Sequence, residues 1–532
     1  MQFLQQKRSL VLLPTSGVLM GLCLVFTKIA FFQWLVMVPA LLWLFCAACG
    51  ERRPKLRHLY GAGFLYFISF YLVVFHWFFY LYPMEFAGVT PAEAMVLVLI
   101  CWICLSLLQA SLFSLIFPIF GLLCRTRVIK ARPVLIPFLF AVQYVVAEWS
   151  QTLTWMGVPW ARLPLGQIDM GPFVGSAALF GSYFLTLCLV CVNALVAYAI
   201  LHRERLRFCA AFAAGTLLLS LGTGLIGLAI NDVEAGEPIV VAAVQGNVGS
   251  TQKWSSGSTK LTKEIYERYT AEAAAAGATL VVFPETFLPN TITESTPTGI
   301  YVRSLAIRYN VTIMCGAFDN DAEGERNAIF TVYPDGTIDE TVYAKRRLVP
   351  FGEFVPWRPF IEFVLPPLAD MGMLSVELLP GTDSAIVETP FGAVGGLLCF
   401  DSIYELLTLE SVRDGAELLV LPTNDSWFTD SAAVYMHSSQ ARLRAIESGR
   451  WIVRSADTGI SSIIDPDGNT HDLTPPLVEG MSVATARVST ARTLYSYIGN
   501  LLVYLMIAAL AALSLSEPMH RFLQRRKEKH TA

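Results

Sequence analysis

Three polar residues of different chemical types each follow an apolar stretch in the second half of this 532-residue chain. Glu285 follows Val281-Val-Phe-Pro, Lys345 follows Thr341-Val-Tyr-Ala, and Cys399 follows Gly396-Leu-Leu. Catalytic residues are often held on loops at strand ends. A carboxylate can take the proton of a thiol, and an ammonium can lower the thiol pKa and stabilise an oxyanion. The three types together predict a covalent acyl-transfer site with Cys399 as nucleophile.

Each of these residues also has an ordinary structural explanation. Free cysteines are among the most buried residues, so Cys399 could be part of a core. Glu285 could stabilise the N-terminus of a helix, and Lys345 could be a solvated charge before Arg346 and Arg347. Spacing alone does not bring the three side chains together, so both interpretations stay open at this point.

The apolar runs around these residues alternate with helical patterns. Strands are predicted at 238–246, 279–283, 311–318, 327–333, 337–343, 393–399, 417–422, 451–455, 461–464 and 482–487. Helices are predicted at 260–276, 300–309, 404–413 and 434–449. Strands that alternate with helices and include short hairpins predict an α/β sandwich with helices on its outer faces.

The composition places the rest of the chain in a membrane. Its mean hydropathy is +0.54 and only 15% of its residues are charged, against about 25% in soluble proteins. Eight apolar runs approach the roughly 20 residues that cross a bilayer: 9–26, 31–49, 60–82, 93–123, 133–150, 172–200, 208–231 and 494–516. The predicted domains are a helical bundle (1–231), an outer catalytic domain (232–493) and a last span with a basic tail (494–532).

The basic residues indicate how these spans are oriented. Clusters of Lys and Arg lie at residues 7–8, 52–57, 125–132, 203–207 and 521–529, whereas the intervening loops contain only Lys28 and Arg162. If the spans alternate in direction, every cluster falls on one side, which the positive-inside rule makes the cytoplasm. Both termini are therefore predicted to be cytoplasmic, and residues 232–493 to lie outside.

The sequence does not indicate a metal or a cofactor. The outer domain has two histidines, His437 and His471, which are too few and too far apart to suggest zinc ligands, and it has no glycine-rich phosphate loop. The spacings Cys46/Cys49 and Cys101/Cys104 fall in or at the end of apolar helices without His or carboxylate clusters, so we interpret them as small helix residues.

The loop at 151–171 combines aromatic residues with Gly and Pro. Trp155, Trp160 and Arg162 fit either an anchor at the membrane–water interface or the lining of a lipid entry site, and the sequence leaves both open.

Several longer motifs support a specific family. They are Val244-Gln-Gly-Asn with Lys253-Trp254, Phe283-Pro-Glu-Thr, Tyr343-Ala-Lys345, Leu348-Val-Pro-Phe-Gly-Glu353-Phe-Val-Pro, Cys399, Asn424-Asp-Ser-Trp427-Phe428, Gln440-Ala-Arg-Leu-Arg444, Gly157-Val-Pro-Trp160 and Gln167-Ile-Asp169. The chain resembles the nitrilase (carbon–nitrogen hydrolase) superfamily, and more closely the bacterial apolipoprotein N-acyltransferases, over essentially its whole length. The resemblance implies an αββα sandwich joined to a membrane bundle.

The resemblance also implies roles for individual residues. Cys399 would be the nucleophile, Glu285 the general base and Lys345 the group that stabilises the tetrahedral intermediate, together with a backbone N–H after Cys399. Glu353 would hold Lys345 or assist proton transfer. Further supporting positions are Asp401, Tyr404, Trp254 and Trp427. For the two tryptophans, packing in the core would be an equally good explanation.

The implied reaction transfers the sn-1 acyl chain of a phospholipid, taken to be phosphatidylethanolamine, through a cysteine thioester. The acceptor would be the α-amino group of the N-terminal diacylglyceryl-cysteine of an apolipoprotein. The resemblance implies the bacterial inner membrane with the catalytic domain in the periplasm, and neither a cofactor nor a nucleic-acid partner.

The chain departs from the family directly after the nucleophile. Family members commonly have Cys-Tyr-Glu, and this chain has Cys399-Phe400-Asp401. The carboxylate is one methylene shorter, and Phe400 cannot donate the hydrogen bond of a tyrosine hydroxyl, for which Ser402 or Tyr404 are candidate substitutes.

Two other functions fit parts of the sequence. A membrane-tethered nitrilase-type amidohydrolase would use water as acceptor and would not need the N-terminal spans. A transporter or receptor would need polar residues along a path through the spans, yet the spans are nearly free of charge and Lys28 and Glu148 lie near their ends.

Overall fold

The computed structural model describes residues 9–50, 54–84, 89–253, 257–288, 290–364 and 377–531. The chain forms two compact units, which we call the helical unit (residues 1–76, 100–227 and 498–532) and the sandwich unit (residues 77–99 and 228–497). Some residues singled out above lie outside the described ranges, namely Trp254, Lys7, Arg8, Arg52 and Arg53.

Long apolar helices build the helical unit and confirm the predicted multi-span bundle. Within the described residues, seven helices are long and apolar enough to span a membrane: Thr27–Cys49, Leu56–Leu81, Pro91–Leu123, Pro133–Ser150, Ser182–Leu201, Arg203–Ile230 and Leu501–Pro518. The first predicted span is an apolar helix of 17 residues, Ser9–Val25. Shorter helices lie at Arg127–Ala131, Leu163–Gln167, Gly171–Ser176 and Ala177–Phe180.

Two buried polar side chains of the helical unit, Glu148 and Gln167, form hydrogen bonds with neighbouring helices. The Glu148 carboxylate accepts hydrogen bonds from the Thr186 hydroxyl (2.6 Å) and from the backbone N–H of Leu163 (2.9 Å). The Gln167 amide donates to the carbonyl oxygen of Ala30 (2.8 Å). Because hydrocarbon offers no hydrogen bonds, such groups must be satisfied internally. These contacts fix residues 163–167 to the neighbouring spans.

Twelve strands of the described residues form two six-stranded sheets in the sandwich unit. The strands are β1 (Glu237–Gln245), β2 (Leu280–Phe283), β3 (Thr312–Asn320), β4 (Glu325–Val332), β5 (Tyr343–Ala344), β6 (Val387–Thr389), β7 (Gly392–Gly396), β8 (Leu418–Thr423), β9 (Ile452–Ala456), β10 (Ser461–Ile464), β11 (Thr470–Thr474) and β12 (Gly480–Val488). The strand orders are β12-β1-β2-β3-β4-β5 and β11-β10-β9-β8-β7-β6. In each sheet the three central strands, β1 to β3 and β7 to β9, are parallel.

Alternating side chains place each sheet between two apolar layers. Val241 and Val282 join the core between the sheets, whereas their neighbours Ala242 and Val281 pack in a core on the opposite face of the first sheet. Strand residues point alternately to opposite faces, so a strand buried on both faces is apolar throughout. This explains the continuous apolar runs of the sequence and confirms the predicted sandwich.

Four helices of the sandwich unit begin and end close to the predicted positions: Ser258–Ala275, Pro297–Tyr309, Glu405–Arg413 and Ala432–Ser448. The short helices Ser250–Lys253 and Arg358–Val364 were not predicted, and Leu494–Ile498 lies at the start of the predicted apolar run 494–516. The predicted strand 337–343 is wrong in extent, because only Ile338 bridges to Val332 before the two-residue strand β5. Asp339 interrupts the pairing by accepting the N–H of Thr341 in a turn (2.7 Å).

Candidate active site

Glu285 lies at the end of β2, on the same side of the sheet as the start of β4. Glu285 follows β2, and its side chain is buried. Because β4 runs antiparallel to β3, the start of β4 lies at the same sheet edge as the end of β2. The buried ammonium of Lys253 donates to the backbone carbonyls of Glu285 (3.1 Å) and Thr286 (2.9 Å) and pairs with Asp457. Lys253 therefore fixes the backbone of the Glu285 segment.

Lys345 connects two carboxylates at this edge. Its Nζ atom lies 2.9 Å from Glu285 Oε1 and 2.9 Å from Glu353 Oε1. The second carboxylate oxygen of Glu353 accepts the N–H of Val349 (2.8 Å), which closes the turn of the Leu-Val-Pro-Phe-Gly-Glu motif. The structure thus brings the predicted Glu285, Lys345 and Glu353 into one ion-paired cluster.

Asn327 belongs to the same cluster, and the sequence analysis did not single it out. Its Nδ2 atom donates to Glu285 Oε1 (2.6 Å) and to Glu353 Oε1 (3.1 Å). Its sequence signal is weak, because Asn327 follows the polar Glu325 and Arg326 at the start of β4 and directly precedes the apolar residues 328–330. Asn327 and Lys345 therefore share the same two carboxylates as acceptors.

Cys399 lies where β7 gives way to a short 3-10 helix, Cys399–Ile403. Its backbone has φ of +49°, a left-handed conformation that is uncommon for a residue with a Cβ atom. The side chain is buried next to the core between the sheets. The nucleophile candidate is therefore presented from a tight turn at a strand end.

The charges around Cys399 set the protonation states of the cluster. Burial and the nearby Glu285 carboxylate raise the pKa of the Cys399 thiol, while Lys345 opposes them. For Lys345, burial alone would lower the pKa, but Glu285 and Glu353 hold it well above its usual value. The resting cluster thus contains an ammonium and a neutral thiol, so a nucleophilic thiolate requires a base.

Asp401 ties the Cys399 turn to the Lys345 loop. Its carboxylate accepts from the Tyr343 hydroxyl (2.9 Å) and from the backbone N–H groups of Arg347 (2.7 Å) and Leu398 (3.2 Å). Burial raises the pKa of this carboxyl to about 6. A Cβ on Gly396 would lie 2.7 Å from the Tyr343 ring, so glycine is needed where that ring passes to Asp401.

The other predicted positions lie in varied surroundings. Tyr404 packs edge-on against Phe400 (5.6 Å between ring centroids), and the Arg347 guanidinium lies 5.0 Å from the Tyr404 ring. Trp427 is half-buried, and its neighbour Phe428 contacts the ring of Trp77. In the helical unit, Trp155 is half-buried while two others are buried, Trp160 and Arg162.

Arg162 is fixed by neighbours of its own unit. Its guanidinium donates to the Ser182 hydroxyl and lies 4.3 Å from the centroid of the Tyr183 ring.

As for metal binding, no group of three or more His, Cys, Asp or Glu side chains suited to an ion occurs within the described ranges.

Family models match both parts of the chain. The model described as the apolipoprotein N-acyltransferase N-terminal domain matches residues 16–195. The model described as carbon-nitrogen hydrolase matches residues 240–495. The second match spans all twelve strands except the first residues of β1, together with Glu285, Lys345 and Cys399.

Curated relatives match almost the whole chain. The apolipoprotein N-acyltransferase of Geobacter metallireducens is 30% identical over 518 residues, which cover 96% of this chain and 95% of that protein. The apolipoprotein N-acyltransferase of Gloeobacter violaceus is 31% identical over 507 residues, which cover 94% of this chain and 92% of that protein. Among solved structures, a Saccharomyces cerevisiae member of branch 10 of the nitrilase superfamily covers 50% of this chain and 94% of its own, with 19% identity and a TM-score of 0.37.

Proposed function

Because this chain belongs to the apolipoprotein N-acyltransferase family, we propose that Cys399 carries the acyl group between the two substrates, with Glu285 and Lys345 as its catalytic partners. The observation that carries the proposal is the cluster in which the Lys345 ammonium binds Glu285, while the buried Asp401 carboxylate joins the Lys345 loop to the Cys399 turn by accepting the N–H groups of Arg347 and Leu398. A base and a cation at the end of one sheet and a thiol at the end of the other supply what covalent acyl transfer requires.

In the first half-reaction, Glu285 takes the Cys399 proton as the sulfur attacks the sn-1 ester carbonyl of a phospholipid. The carbonyl oxygen becomes an oxyanion, which the Lys345 ammonium and the Phe400 N–H stabilise. When the intermediate collapses, the ester C–O bond breaks and the leaving glycerol oxygen takes the proton from Glu285. Lysophospholipid departs, and Cys399 is left as a thioester.

In the second half-reaction, the α-amino group of a diacylglyceryl-cysteine attacks the thioester. Glu285 accepts a proton from the attacking nitrogen, and Lys345 again faces the oxyanion. The C–S bond breaks, Cys399 recovers its proton from Glu285, and an amide bond remains on the lipoprotein. The two substrates react in turn with one residue, which predicts ping-pong kinetics.

Glu353 and Asn327 keep Lys345 and Glu285 in place between these steps. Glu353 balances the ammonium charge whenever Glu285 is protonated, because its Oε1 atom lies 2.9 Å from the Lys345 nitrogen. The Asn327 amide donates to both carboxylates and so fixes their separation. A buried ammonium without a carboxylate would be strongly disfavoured.

Phosphatidylethanolamine is the donor that we propose, taken up from the outer leaflet by a catalytic domain (232–493) facing the periplasm. The basic clusters on one side of the spans support this orientation, with both termini cytoplasmic and a last span and tail at 494–532. In the loop 151–171, the half-buried Trp155 would meet lipid, while the buried Trp160 and Arg162 hold the loop.

The test uses purified full-length protein with phosphatidylethanolamine whose two acyl chains differ in mass and with a diacylated lipopeptide. The proposal predicts triacylated lipopeptide that carries the sn-1 chain, and none from a Cys399→Ala variant. Release of free fatty acid without amide formation would instead support the amidohydrolase-type reaction, and transfer of the sn-2 chain would contradict the assigned regiochemistry.

A further inference from the structure

A second polar cluster, separate from the Glu285–Lys345–Glu353 cluster, contacts the backbone of Cys399. The Ser402 hydroxyl donates to the carbonyl oxygen of Cys399 (2.8 Å). The Nε2 atom of His437 lies 3.2 Å from the same oxygen and 3.1 Å from the Ser402 hydroxyl. All three side chains are buried. The carbonyl oxygen of the nucleophile residue is therefore anchored from two directions.

The cluster continues on the other side of the imidazole ring. His437 lies on helix Ala432–Ser448, and its Nδ1 atom is 2.8 Å from Asp425 Oδ1. Asp425 is the second residue after β8. Arg454, on β9, donates to Asp425 Oδ2 (2.7 Å). Burial alone would raise the pKa of the Asp425 carboxyl, but Arg454 and His437 hold it well below its usual range. Asp425 is therefore a carboxylate and can only accept hydrogen bonds.

The Ser402 hydroxyl proton decides the role of the His437 Nε2 atom. Ser402 has one hydroxyl proton, which its 2.8 Å contact gives to the Cys399 carbonyl oxygen. Toward Nε2 the Ser402 oxygen and the carbonyl oxygen are then both acceptors, so Nε2 carries a proton. Nδ1 faces the Asp425 carboxylate at 2.8 Å and the Arg454 guanidinium at 3.4 Å. The Nε2 proton lets His437 donate to the Cys399 carbonyl oxygen, as Ser402 does.

Anchoring the Cys399 carbonyl also directs the next N–H group. A trans peptide unit is planar, so the N–H of Phe400 points opposite to the carbonyl of Cys399. With that carbonyl held by His437 and Ser402, the N–H must face away from both. The left-handed backbone of Cys399 (φ +49°) is unfavourable for a residue with a Cβ and needs such an external hold.

We propose that His437 is a positioning residue for acyl transfer: together with Ser402 it holds the Cys399 carbonyl and so aims the Phe400 N–H at the oxyanion. This inference rests on the proposed function, because it assigns the support of the acyl-enzyme step. Asp425 and Arg454 in turn fix the orientation of the ring. His437 touches neither substrate, so its effect falls on the rate constants and not on donor binding.

The test measures the rate constant of Cys399 acylation in rapid-quench experiments on the full-length protein with phosphatidylethanolamine. Removing one oxyanion donor typically slows catalysis by about 100- to 1000-fold. We expect His437→Ala to slow acylation about 100-fold with unchanged KM for the donor. His437→Gln keeps an N–H near the Nε2 position and should recover about tenfold of that loss. His471→Ala is the matched control, because His471 also pairs with an aspartate, Asp465 (2.8 Å), but is 44% exposed.

The readout separates positioning from folding. A variant that merely folds poorly lowers the amplitude of acylation and leaves the rate constant of the folded fraction unchanged, and that result would overturn the proposal. Wild-type rate constants in His437→Ala would overturn it as well. If His437→Ala does not fold, Ser402→Ala and His437→Gln must show the slower rate constant instead.

A second donor distinguishes failure of this inference from failure of the proposed function. If the wild-type protein formed no acyl-enzyme from phospholipid, the assigned donor chemistry would be wrong. The burst of p-nitrophenol from a p-nitrophenyl ester would then still report on oxyanion stabilisation, and a slower burst in His437→Ala would support the inference. Absence of any burst in the wild type would overturn both.

Discussion

Replacing Asp401 by asparagine tests whether the shortened carboxylate after Phe400 holds the site together. Asp401 is fully buried and accepts hydrogen bonds from the Tyr343 hydroxyl (2.9 Å) and from the N–H groups of Arg347 (2.7 Å), Arg346 (3.2 Å) and Leu398 (3.2 Å). Three of these donors are backbone groups that cannot rotate away. They belong to the two loops that present Lys345 and Cys399.

The contacts give the size of the effect. An asparagine oxygen can serve Arg346 and Arg347, but the amide NH₂ group then faces the N–H of Leu398. The change replaces charge-assisted bonds with neutral ones and leaves a buried donor unpaired, at a cost of about 3 kcal/mol. If this loss is expressed fully in the transition state, acylation slows roughly 150-fold.

The same residue predicts the acid limb of the pH profile. Burial raises the pKa of Asp401 to about 6. The ionised form accepts from every neighbour, whereas the protonated form must place its own proton against a donor. Acylation should therefore fall as the pH drops through about 6. In Asp401→Asn no group titrates at this position, so that limb should disappear.

The assay is the rate constant of acyl-enzyme formation on Cys399 between pH 5 and 8, with thermal unfolding measured alongside. Asp383→Asn is the matched control, because Asp383 is exposed and lies outside the cluster. An Asp401→Asn enzyme that acylates within about threefold of wild type, with the acid limb intact, would refute this explanation of the Phe-Asp pair.

Two further substitutions test the ion-paired cluster. Lys345→Met removes an oxyanion donor and leaves the Glu285 and Glu353 carboxylates facing each other, so the acylation rate constant should fall by at least about 100-fold. The control is Lys260→Met at an exposed lysine, which should have no effect. Near-normal acylation by Lys345→Met in rapid-quench measurements would contradict the role of the ammonium. Asn327→Asp turns a donor to both carboxylates into a third negative charge, so turnover should fall about tenfold or more, while the same change at the exposed Asn320 should be neutral in the same assay.

Part of this site was predictable from the sequence because strand ends are visible as apolar runs that stop at a polar residue. Glu285 follows such a run in the first sheet and Cys399 follows one in the second, each after a strand that pairs in parallel with its neighbour. The α/β sandwich with helices on its outer faces followed from the alternation of strands and helices, and the family resemblance specified it as αββα. The contact between Glu353 and Lys345 came only from family resemblance, since the two residues lie eight positions apart in an irregular loop.

Other features depend on contacts that no local pattern encodes. Asn327 meets Glu285 across 42 positions of sequence, and His437 meets Cys399 across 38. From the sequence, His437 could be considered only as a metal ligand, because a histidine inside a helix carries no sign of the backbone carbonyl that it faces. Strand β5 was overpredicted, because the turn at Asp339 ends the pairing that the apolar pattern favours.

The central claim, that Cys399 is acylated by phospholipid, can be tested with the purified full-length protein and phosphatidylethanolamine alone. Mass spectrometry of the peptide that contains Cys399 should show one added acyl chain. The mass should disappear when a diacylated lipopeptide is added, as triacylated product forms. An unmodified Cys399 peptide in enzyme that goes on to make triacylated lipopeptide, or product from a Cys399→Ala variant, would contradict the thioester mechanism.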